Sequence, residues 1–352
     1  MKKIFYLIIG VMCLLPIKIF AVNITASSAI LMDMDSNRIL YSKDIHNIRS
    51  VASISKIMTA VIAIESGKLD EVVTIGDEID KAYGSGIYIK KGEQLSLRDL
   101  VYGLMLRSGN DAAFAIAKYV GGSEFIEMMN NKATEIGMIN TTFNNPCGLD
   151  EESGNYSTAY DMAILTSYAM KLDEYKKIIG TKTYKLKTNK NNYIWHNKHK
   201  LLGKYEYVTG GKTGYTKKAL RTLVTTASKD NLNLVAVTLN DGNDFKDHIS
   251  LFKYGFANYK KEDILTKGKI NIYDDIYYGI YDLSIDKNIS YPINNQDNVY
   301  LKYRLDQKPH EGSVGTVTLY VNEKEVLNEN VDAKKIKRKE SHNIIEWFGN
   351  LW

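Results

Sequence analysis

Apolar residues recur at helical spacing in the first third of the chain. In SISKIMTAVIAIESG, residues 53–67, the large apolar side chains fall three or four positions apart, and Gly67 ends the run. The same spacing predicts helices at 97–119, 123–136 and 158–171. The middle of the chain is therefore predicted to be mostly helical.

Short runs rich in β-branched residues flank this helical region. AILMDMDSNRIL, residues 29–40, predicts two strands around an Asp-Ser-Asn turn, and the stretches at 219–227 and 233–240 predict a hairpin. Residues 244–259 return to helical periodicity. Strands at both ends with helices between them indicate an α/β fold whose sheet assembles from distant parts of the chain.

The pattern changes again towards the carboxyl terminus. From residue 263 to 332 the chain shows only short alternating stretches separated by turn residues, which predicts a small β-sandwich. Because 352 residues exceed the usual size of one domain, we predict a first domain at 22–262 and this second, all-β domain at 263–332.

Both ends of the chain resemble targeting segments. Residues 1–21 combine a basic start, an apolar run and a final small residue, which predicts a secretory signal peptide. The alternative is an uncleaved membrane anchor, but the apolar run is shorter than the roughly 18 to 20 residues that span a bilayer. Residues 333–352 predict a basic amphipathic helix that lies on an anionic membrane, with a helix packed on its own domain as the alternative.

Charge and cysteine content narrow the function classes. Removal of residues 1–21 takes away three lysines and no acid, so the formal net charge of +5 falls by three to +2. Nucleic-acid binding thereby loses its electrostatic support. Cys147 then remains as the only cysteine, so no disulfide framework is expected. His196 and His199 lack acidic partners in a metal-binding pattern, and we expect them to be polar groups in a loop, with no metal and no cofactor.

Candidate chemistry begins in VASISKIMTA, where serines crowd against one lysine. A nucleophilic serine needs a base within hydrogen-bond reach, and helical residues three apart share a face. Ser53 precedes Lys56 by three positions whereas Ser55 is adjacent to it, so the geometry selects Ser53. Two further S-x-x-K copies, at 250–253 and 284–287, lack the apolar helix that would bury the lysine and lower its pKa.

Two more polar elements follow. Ser108-Gly109-Asn110 lies between apolar helical runs, and its hydroxyl and amide could relay a proton and hold a substrate carbonyl. A second SGN at 153–155 lies in a loop-like stretch, which favours the copy at 108–110.

The third element is GGKTGYT, residues 210–216. It is not a phosphate-binding loop, because Glu206 stands where that loop requires glycine. Lys212 and Thr213 can instead offer a cation and a hydroxyl to a carboxylate, while Gly214 leaves room for a ligand that lies along the strand.

S-x-x-K, S-x-N and K-T-G in this order match the catalytic motifs of the penicillin-recognising serine enzymes. Within that superfamily, the chain resembles the low-molecular-weight D-alanyl-D-alanine carboxypeptidases of bacterial cell walls over residues 26–260. The blocks that carry the resemblance are AILMD, VASISKIMTA, GIYIKKGEQLSLRDL, SGNDAA, FNNPCGLD, YSTAYDMA, NKHKLL and GGKTGYT.

The resemblance implies an α/β domain of the β-lactamase/transpeptidase type, with an antiparallel sheet flanked by helices and a helical subdomain, followed by the small all-β domain. Residues 22–262 would be catalytic and residues 333–352 would associate with the membrane surface. The implied substrate is the peptidoglycan stem peptide and the implied inhibitors are β-lactams, with no cofactor, no metal and no nucleic acid. The implied location is the extracellular face of the bacterial cytoplasmic membrane or the cell wall.

By position, the resemblance implies a role for each motif residue. Ser53 would be acylated by the penultimate D-alanine carbonyl, Lys56 would be the base, and water would hydrolyse the acyl-enzyme. Ser108 would pass a proton to the leaving amine and Asn110 would hold the substrate backbone. A second cation, Lys212, would help to keep Lys56 neutral.

The resemblance also implies the binding residues. Lys212 and Thr213 would bind the terminal carboxylate along the strand that contains Gly214, and the backbone N–H groups of Ser53 and Tyr215 would form the oxyanion hole.

The chain departs from the family pattern at two places. Tyr215 stands where relatives often carry histidine or a small residue, and it would narrow the cleft. Relatives often carry a carboxylate-binding arginine where this chain has Asn233, and Arg221 is the candidate that would replace it.

Two other functions stay open on the sequence alone. Glu151 and Asn155 spell the E-x-x-x-N of a β-lactamase that activates a deacylating water. A catalytically weak peptidoglycan-binding module would not be acylated.

Overall fold

The computed structural model describes residues 22–150, 153–272 and 278–336. The chain divides into two compact units, with the boundary in the sequence between Asn258 and Tyr259. The predicted signal peptide at 1–21 lies outside the described residues, as does the predicted tail after Ile336.

The helices of the first unit are, in chain order, α1 (Lys56–Glu65), α2 (Leu97–Tyr102), α3 (Asn110–Val120), α4 (Phe125–Glu135), α5 (Ala159–Ala169), α6 (Asp173–Gly180) and α7 (Asp244–Asn258). Its 3₁₀ segments are Ala52–Ser55, Asp77–Lys81 and Gly122–Glu124, and a π turn spans Gly103–Arg107.

The strands of the first unit are β1 (Ser28–Asp33), β2 (Ile39–Lys43), β3 (Arg49–Ser50), β4 (Val72–Thr74), β5 (Gln94–Ser96), β6 (Tyr156–Ser157), β7 (Thr183–Lys187), β8 (Asn192–His196), β9 (Val208–Thr216), β10 (Leu220–Lys229) and β11 (Leu232–Leu239). Those of the second unit are β12 (Lys260–Leu265), β13 (Gly268–Ile270), β14 (Tyr281–Ile285), β15 (Ile289–Ile293), β16 (Val299–Leu305), β17 (Gly312–Val321) and β18 (Lys324–Lys335).

A five-stranded antiparallel sheet organises the first unit, in the order β2-β1-β11-β10-β9. Strand β1, near the beginning of the chain, pairs with β11, more than two hundred residues later, with Ile30 opposite Val237. The predicted assembly of the sheet from distant segments and the predicted β10–β11 hairpin are both confirmed. Strand β9 is the edge of this sheet, so among the strands that the structure describes, none pairs with its other side.

Helix α1 is the central helix of the first unit. Its first eight residues are all buried, and it contacts α2, α3, α4, α5 and α6. A helix that is apolar on every side is stable only when other elements surround it. The fold therefore carries the residue at its first position, Lys56, into the interior.

The predicted helix at 97–119 is divided in the structure. Helix α2 passes into the π turn, and Ser108 then adopts a left-handed backbone with φ 62° before α3 begins. This conformation is disfavoured for a residue with a side chain, and π turns occur often at functional sites. The break places the SGN motif, at the start of α3, at the margin of the core.

The second unit is all-β, as predicted. Its sheet order is β13-β14-β18-β17-β16, a second pair is formed by β12 and β15, and the two sheets share one apolar core. The unit begins four residues before the predicted boundary at 263, because β12 starts at Lys260 and pairs with β15. Strand β18 continues to Lys335, so residues 333–335 are strand rather than the start of the predicted tail.

Candidate active site

Ser53 and Lys56 lie where a 3₁₀ turn leads into α1. Ser53 belongs to the turn and Lys56 is the first residue of the helix. The lysine is fully buried. Its Nζ lies 3.0 Å from Ser53 Oγ. The structure thus joins the two residues that the sequence selected.

Two acceptors fix the orientation of the Lys56 amine. Its Nζ donates to Asn110 Oδ1 at 2.7 Å and to the carbonyl oxygen of Cys147. The Asn110 amide is itself oriented, because its Nδ2 donates to the carbonyl oxygen of Tyr83. A neutral amine has two N–H bonds and one lone pair. The two acceptors use both N–H bonds, which leaves the lone pair for the proton of the Ser53 hydroxyl.

Close backbone packing brings the Cys147 carbonyl to the lysine. Gly148 has φ 83°, and a Cβ there would lie 2.0 Å from the carbonyl oxygen of Ala52. Only glycine allows this approach between the loop and the 3₁₀ turn.

Burial lowers the pKa of Lys56 from 10.5 to about 8. The nearby Cys147 and the Asp111 carboxylate act in the opposite direction, whereas the positive charge of Lys198 lowers the pKa. A base with this pKa has a large neutral fraction near physiological pH, as proton abstraction requires.

Ser108 lines the cleft together with Ser53. Its left-handed backbone places a nearly buried hydroxyl 2.8 Å from Lys212 Nζ, which donates to it. Lys212 is also buried and donates to the carbonyl oxygen of Thr213 at 2.7 Å. Burial lowers the pKa of Lys212 well below its usual value, and the like charges of Lys56 and Lys198 add to this.

Residues 83–88 form a wall of the cleft that is attached to the SGN motif. Asp111 is buried and accepts from the backbone N–H groups of Ile87 and Tyr88. The backbone N–H of Asn110 donates to the carbonyl oxygen of Ser85 at 2.8 Å. These bonds hold Ser85 beside the reacting groups.

Strand β9 approaches the nucleophile through a glycine. A Cβ at Gly214 would lie 2.4 Å from Thr222 Oγ1, 3.0 Å from the backbone nitrogen of Ser53 and 3.1 Å from that of Ile54. Side chains larger than hydrogen are excluded there. The edge strand and the N–H groups of the 3₁₀ turn therefore face each other across a narrow gap.

A cleft of about 740 Å³ opens between these elements. It is lined by Ser53, Ser85, Ser108, Lys198, Lys200, Thr213, Gly214, Tyr215, Arg221, Asp244 and Phe245. Three of these residues are cations, and the one carboxylate in this described lining, Asp244, pairs with Arg221 at 3.4 Å. The excess of positive charge suits an anionic ligand. Among the described residues, no group of three or more His, Cys, Asp or Glu side chains could hold a metal ion.

The family model for D-alanyl-D-alanine carboxypeptidases, peptidase family S11, matches residues 17–243. The chain belongs to this family of serine peptidases. It is 34% identical over 255 residues to D-alanyl-D-alanine carboxypeptidase DacF of Bacillus subtilis, a match that covers 69% of this chain and 65% of that protein. It is 30% identical over 364 residues to DacA of Haemophilus influenzae, covering 94% of this chain and 88% of that one.

Solved structures of the family show the same fold. Penicillin-binding protein 5 from Haemophilus influenzae superposes with a TM-score of 0.76 at 28% identity, over 90% of this chain and 98% of that one. A D-alanyl-D-alanine carboxypeptidase from Mycobacterium tuberculosis gives 0.65 at 29% identity, over 68% of this chain and 95% of that one. The fold predicted from the sequence is confirmed, both for the first unit and for the all-β unit.

The other copies of the S-x-x-K and S-x-N motifs are not among the residues that line the cleft. Ser250 is on α7, where its hydroxyl donates to the carbonyl oxygen of Lys246. Ser284 is on β14 in the second unit. Asn155 of the second SGN accepts from the backbone nitrogens of Asn144 and Asn145, and so holds its own loop together.

The structure corrects the expectation for Asn233. This residue lies on β11, where it accepts from Ser228 Oγ at 2.7 Å and donates to Asp35, and it is not among the cleft residues. The prediction that it marks a lost carboxylate ligand is wrong. Arg221 lines the cleft directly, opposite Tyr215 in the strand register.

His199 lies in a loop, as expected, although its ring is buried and its Nε2 lies 2.9 Å from Thr225 Oγ1. The loop prediction is wrong for His196, which is an exposed residue at the end of β8.

Sequence reasoning missed several groups of the site. The carbonyls of Cys147 and Tyr83 orient the Lys56–Asn110 pair, and Ser85, Lys198 and Asp244 line the cleft. Lys198 lies in the block NKHKLL and Cys147 in FNNPCGLD, and both blocks carried the family resemblance. These blocks therefore indicated that the two residues lie in segments typical of the family, but they did not indicate what Lys198 or Cys147 does.

Proposed function

We propose that this chain is a serine-type D-Ala-D-Ala carboxypeptidase that removes the terminal D-alanine from peptidoglycan pentapeptide stems through an acyl-enzyme on Ser53. The observation that carries the proposal is the position of Lys56 Nζ, which lies 3.0 Å from Ser53 Oγ and has Asn110 Oδ1 and the Cys147 carbonyl oxygen as its other two partners. Membership of the family and its curated relatives support the substrate class.

Acylation begins when Ser53 Oγ attacks the carbonyl carbon of the penultimate D-alanine and Lys56 takes its proton. The new Oγ–C bond forms, and the C–N bond to the terminal D-alanine breaks. The leaving nitrogen receives a proton from Ser108, whose oxygen lies 2.8 Å from Lys212 Nζ. The proton that Lys56 took from Ser53 then passes to Ser108, so Lys56 is again neutral and Ser108 is again a hydroxyl. The backbone N–H groups of Ser53 and Tyr215 stabilise the negative charge on the carbonyl oxygen.

The substrate backbone extends along the free edge of β9 as an added strand. Asn110 holds it on the opposite side. The terminal carboxylate accepts from Thr213 and from Arg221, whose guanidinium is half exposed in the cleft and braced by Asp244. Lys212 is buried, with its side-chain nitrogen bonded to Ser108 and Thr213, so its direct contact with the carboxylate stays a prediction.

Water hydrolyses the acyl-enzyme and restores Ser53. A β-lactam presents the same kind of carbonyl next to a carboxylate, so we propose that it acylates the same serine. The name of the structural relative from Haemophilus influenzae, a penicillin-binding protein, supports this proposal.

We do not propose a β-lactamase. Glu151, the residue suggested for activating a deacylating water, lies outside the described residues. Asn155 is occupied within its own loop, and Asp244, the carboxylate in the described cleft lining, is paired with Arg221.

We propose that the protein is exported and acts on the wall side of the cytoplasmic membrane. The predicted signal peptide at 1–21 and the relatives' names support this location. Within the described ranges, no helix is long and apolar enough to cross a membrane. Association through the tail at 333–352 stays a prediction.

The test is the release of D-alanine from a synthetic wall pentapeptide. The wild type is expected to release it, and Ser53→Ala is expected to lose at least a thousandfold in rate, because the nucleophile is removed. Ser250→Ala is the matched control, since it removes the serine of another S-x-x-K outside the cleft, and it is expected to retain activity. A wild type that releases no D-alanine would contradict the proposal.

A further inference from the structure

Three serine hydroxyls line the cleft, and each lies within hydrogen-bond distance of a different lysine. Lys56 Nζ lies 3.0 Å from Ser53 Oγ, and Lys212 Nζ lies 2.8 Å from Ser108 Oγ. The third pair is Lys198 Nζ and Ser85 Oγ, at 3.2 Å. The proposed chemistry uses the first two pairs and gives no role to the third.

The three lysines differ in their access to solvent. Lys56 and Lys212 are both buried, whereas Lys198 is partly exposed and lines the open cleft. A buried ammonium group without a carboxylate partner is costly, and within the described residues neither buried lysine forms an ion pair. Burial and the like charge of Arg107 lower the pKa of Lys198 as well. Lys198 nevertheless keeps part of its hydration, so burial disfavours its charged form less than that of the two fully buried lysines.

The loop around Lys198 fixes the position of its charge. Its backbone N–H donates to the carbonyl oxygen of Leu106 at 3.0 Å, two residues before Ser108. On one side, the Asn197 amide donates to two backbone carbonyls. On the other side, the His199 ring is buried against Thr225. The segment cannot swing the lysine away from the cleft without breaking these contacts.

We propose that Lys198 is a positioning residue for acyl transfer: its fixed positive charge, tied to Ser85, keeps the two buried lysines in their neutral, proton-accepting and proton-relaying forms. The proposal rests on the proposed function, and it adds a residue to which no motif assigned a role. Arginine at this position would serve the same purpose, since only a held positive charge is required.

The charged surroundings of Lys56 support this role. Around its amine, Cys147 and Asp111 favour the protonated form, and Lys198 disfavours it. Among the three cations of the cleft lining, only Lys198 lowers the pKa of both buried lysines. Lys200 instead lies over the ring of Phe245, at 5.9 Å from its centroid.

The experiment measures the second-order rate of acylation by a fluorescent penicillin from pH 5.5 to 9.5, for the wild type and three variants. Lys198→Met is expected to move the acid limb of the profile to higher pH by about 0.5 to 1 unit, because loss of a like charge raises the pKa of Lys56. Below the limb, its rate falls about 3- to 10-fold relative to the wild type. Lys198→Arg is expected to restore the wild-type limb.

Lys200→Met is the matched control, because it removes a cation from the same loop and the same cleft. It weakens attraction of the anionic penicillin equally across the pH range, and the acid limb keeps its position. A thermal unfolding curve for each variant verifies that it is folded. An acid limb that is unchanged in folded Lys198→Met, or that shifts equally in Lys200→Met, would overturn the inference. A wild type that is never labelled would instead overturn the proposed function.

Discussion

Asn110→Asp tests the neutral-lysine arrangement with a change of almost no volume. The amide oxygen of Asn110 accepts from Lys56 Nζ at 2.7 Å, and both side chains are buried. The substitution places a carboxylate at that distance. The neutral amine would become an ammonium ion paired with it.

The size of the effect follows from Coulomb's law. Two unit charges 2.7 Å apart attract by about 6 kcal/mol at an effective dielectric constant of about 20. The cost of burying the new carboxylate offsets part of this, and an adjacent opposite charge typically shifts a pKa by about 1 to 3 units. The pKa of Lys56, about 8 in the wild type, therefore rises. With a rise of about 2 units, the neutral fraction at pH 7.5 falls from about a quarter to about 0.3%.

The assay is the pH profile of acylation by a fluorescent penicillin. Asn110→Asp is expected to be about 50- to 100-fold slower than the wild type at pH 7.5 and to recover as the pH rises, because the neutral fraction is restored. Asn110→Ala is the control. It removes the contacts of Asn110 with Lys56 and Tyr83 without adding a charge, so the acid limb of its pH profile is not expected to move to higher pH. An Asn110→Asp variant with the acid limb of the wild type would refute the reasoning.

Three further predictions concern other parts of the site. Gly214→Ala is expected to slow acylation at least tenfold while the protein stays folded, because its Cβ would lie 3.0 Å from the backbone nitrogen of Ser53. An acylation rate equal to that of the wild type would show that the substrate does not need the space between β9 and Ser53. Arg221→Gln is expected to raise KM about 10- to 100-fold for peptides with a free carboxylate and to leave KM for the matching C-terminal amides unchanged; equal effects on both would remove the arginine from the carboxylate site. Lys56→Met is expected to raise the free energy of unfolding at pH 7 by about 3 kcal/mol, since the folded-state pKa is lowered from 10.5 to about 8 and the unfolded chain binds the proton more tightly. For the same reason the free energy of unfolding of the wild type is expected to increase as the pH rises from about 8 to 10.5. Urea titrations of the wild type and of Lys56→Met, at pH 7 and across that range, measure both changes. A wild-type free energy of unfolding that does not change with pH would contradict the prediction.

The choice of Ser53 and Lys56 was predictable because helical spacing and an apolar run are properties of the sequence itself. The structure places both where that spacing requires. The position of Asn110 near them was predictable only through the family resemblance. Nothing in local periodicity brings together residues more than fifty positions apart.

Other parts of the site have no sequence signature. Every residue has a backbone carbonyl, so the roles of Cys147 and Tyr83 as acceptors follow only from the folded loops. The break at Ser108 was missed because the runs that flank the motif, LMLR and DAAFAIA, continue the helical pattern across it, although Gly109 is itself a poor helix former.

The β7–β8 hairpin and helix α6 are among the elements that the sequence analysis missed, for different reasons. The hairpin of β7 and β8 has a detectable signal, since Tyr184 and Leu186 alternate with polar residues, as do Tyr193 and Trp195. Helix α6 is only eight residues long, and its helical pattern is too short to separate from a turn.

The measurement that tests the central claim most directly is intact-protein mass spectrometry after incubation with benzylpenicillin, followed by peptide mapping. The account predicts one adduct per chain, on Ser53, with formation that becomes faster as the pH rises towards 8 and is lost in Lys56→Met. No adduct on the wild type, or an adduct on another serine of the cleft such as Ser85 or Ser108, would contradict it.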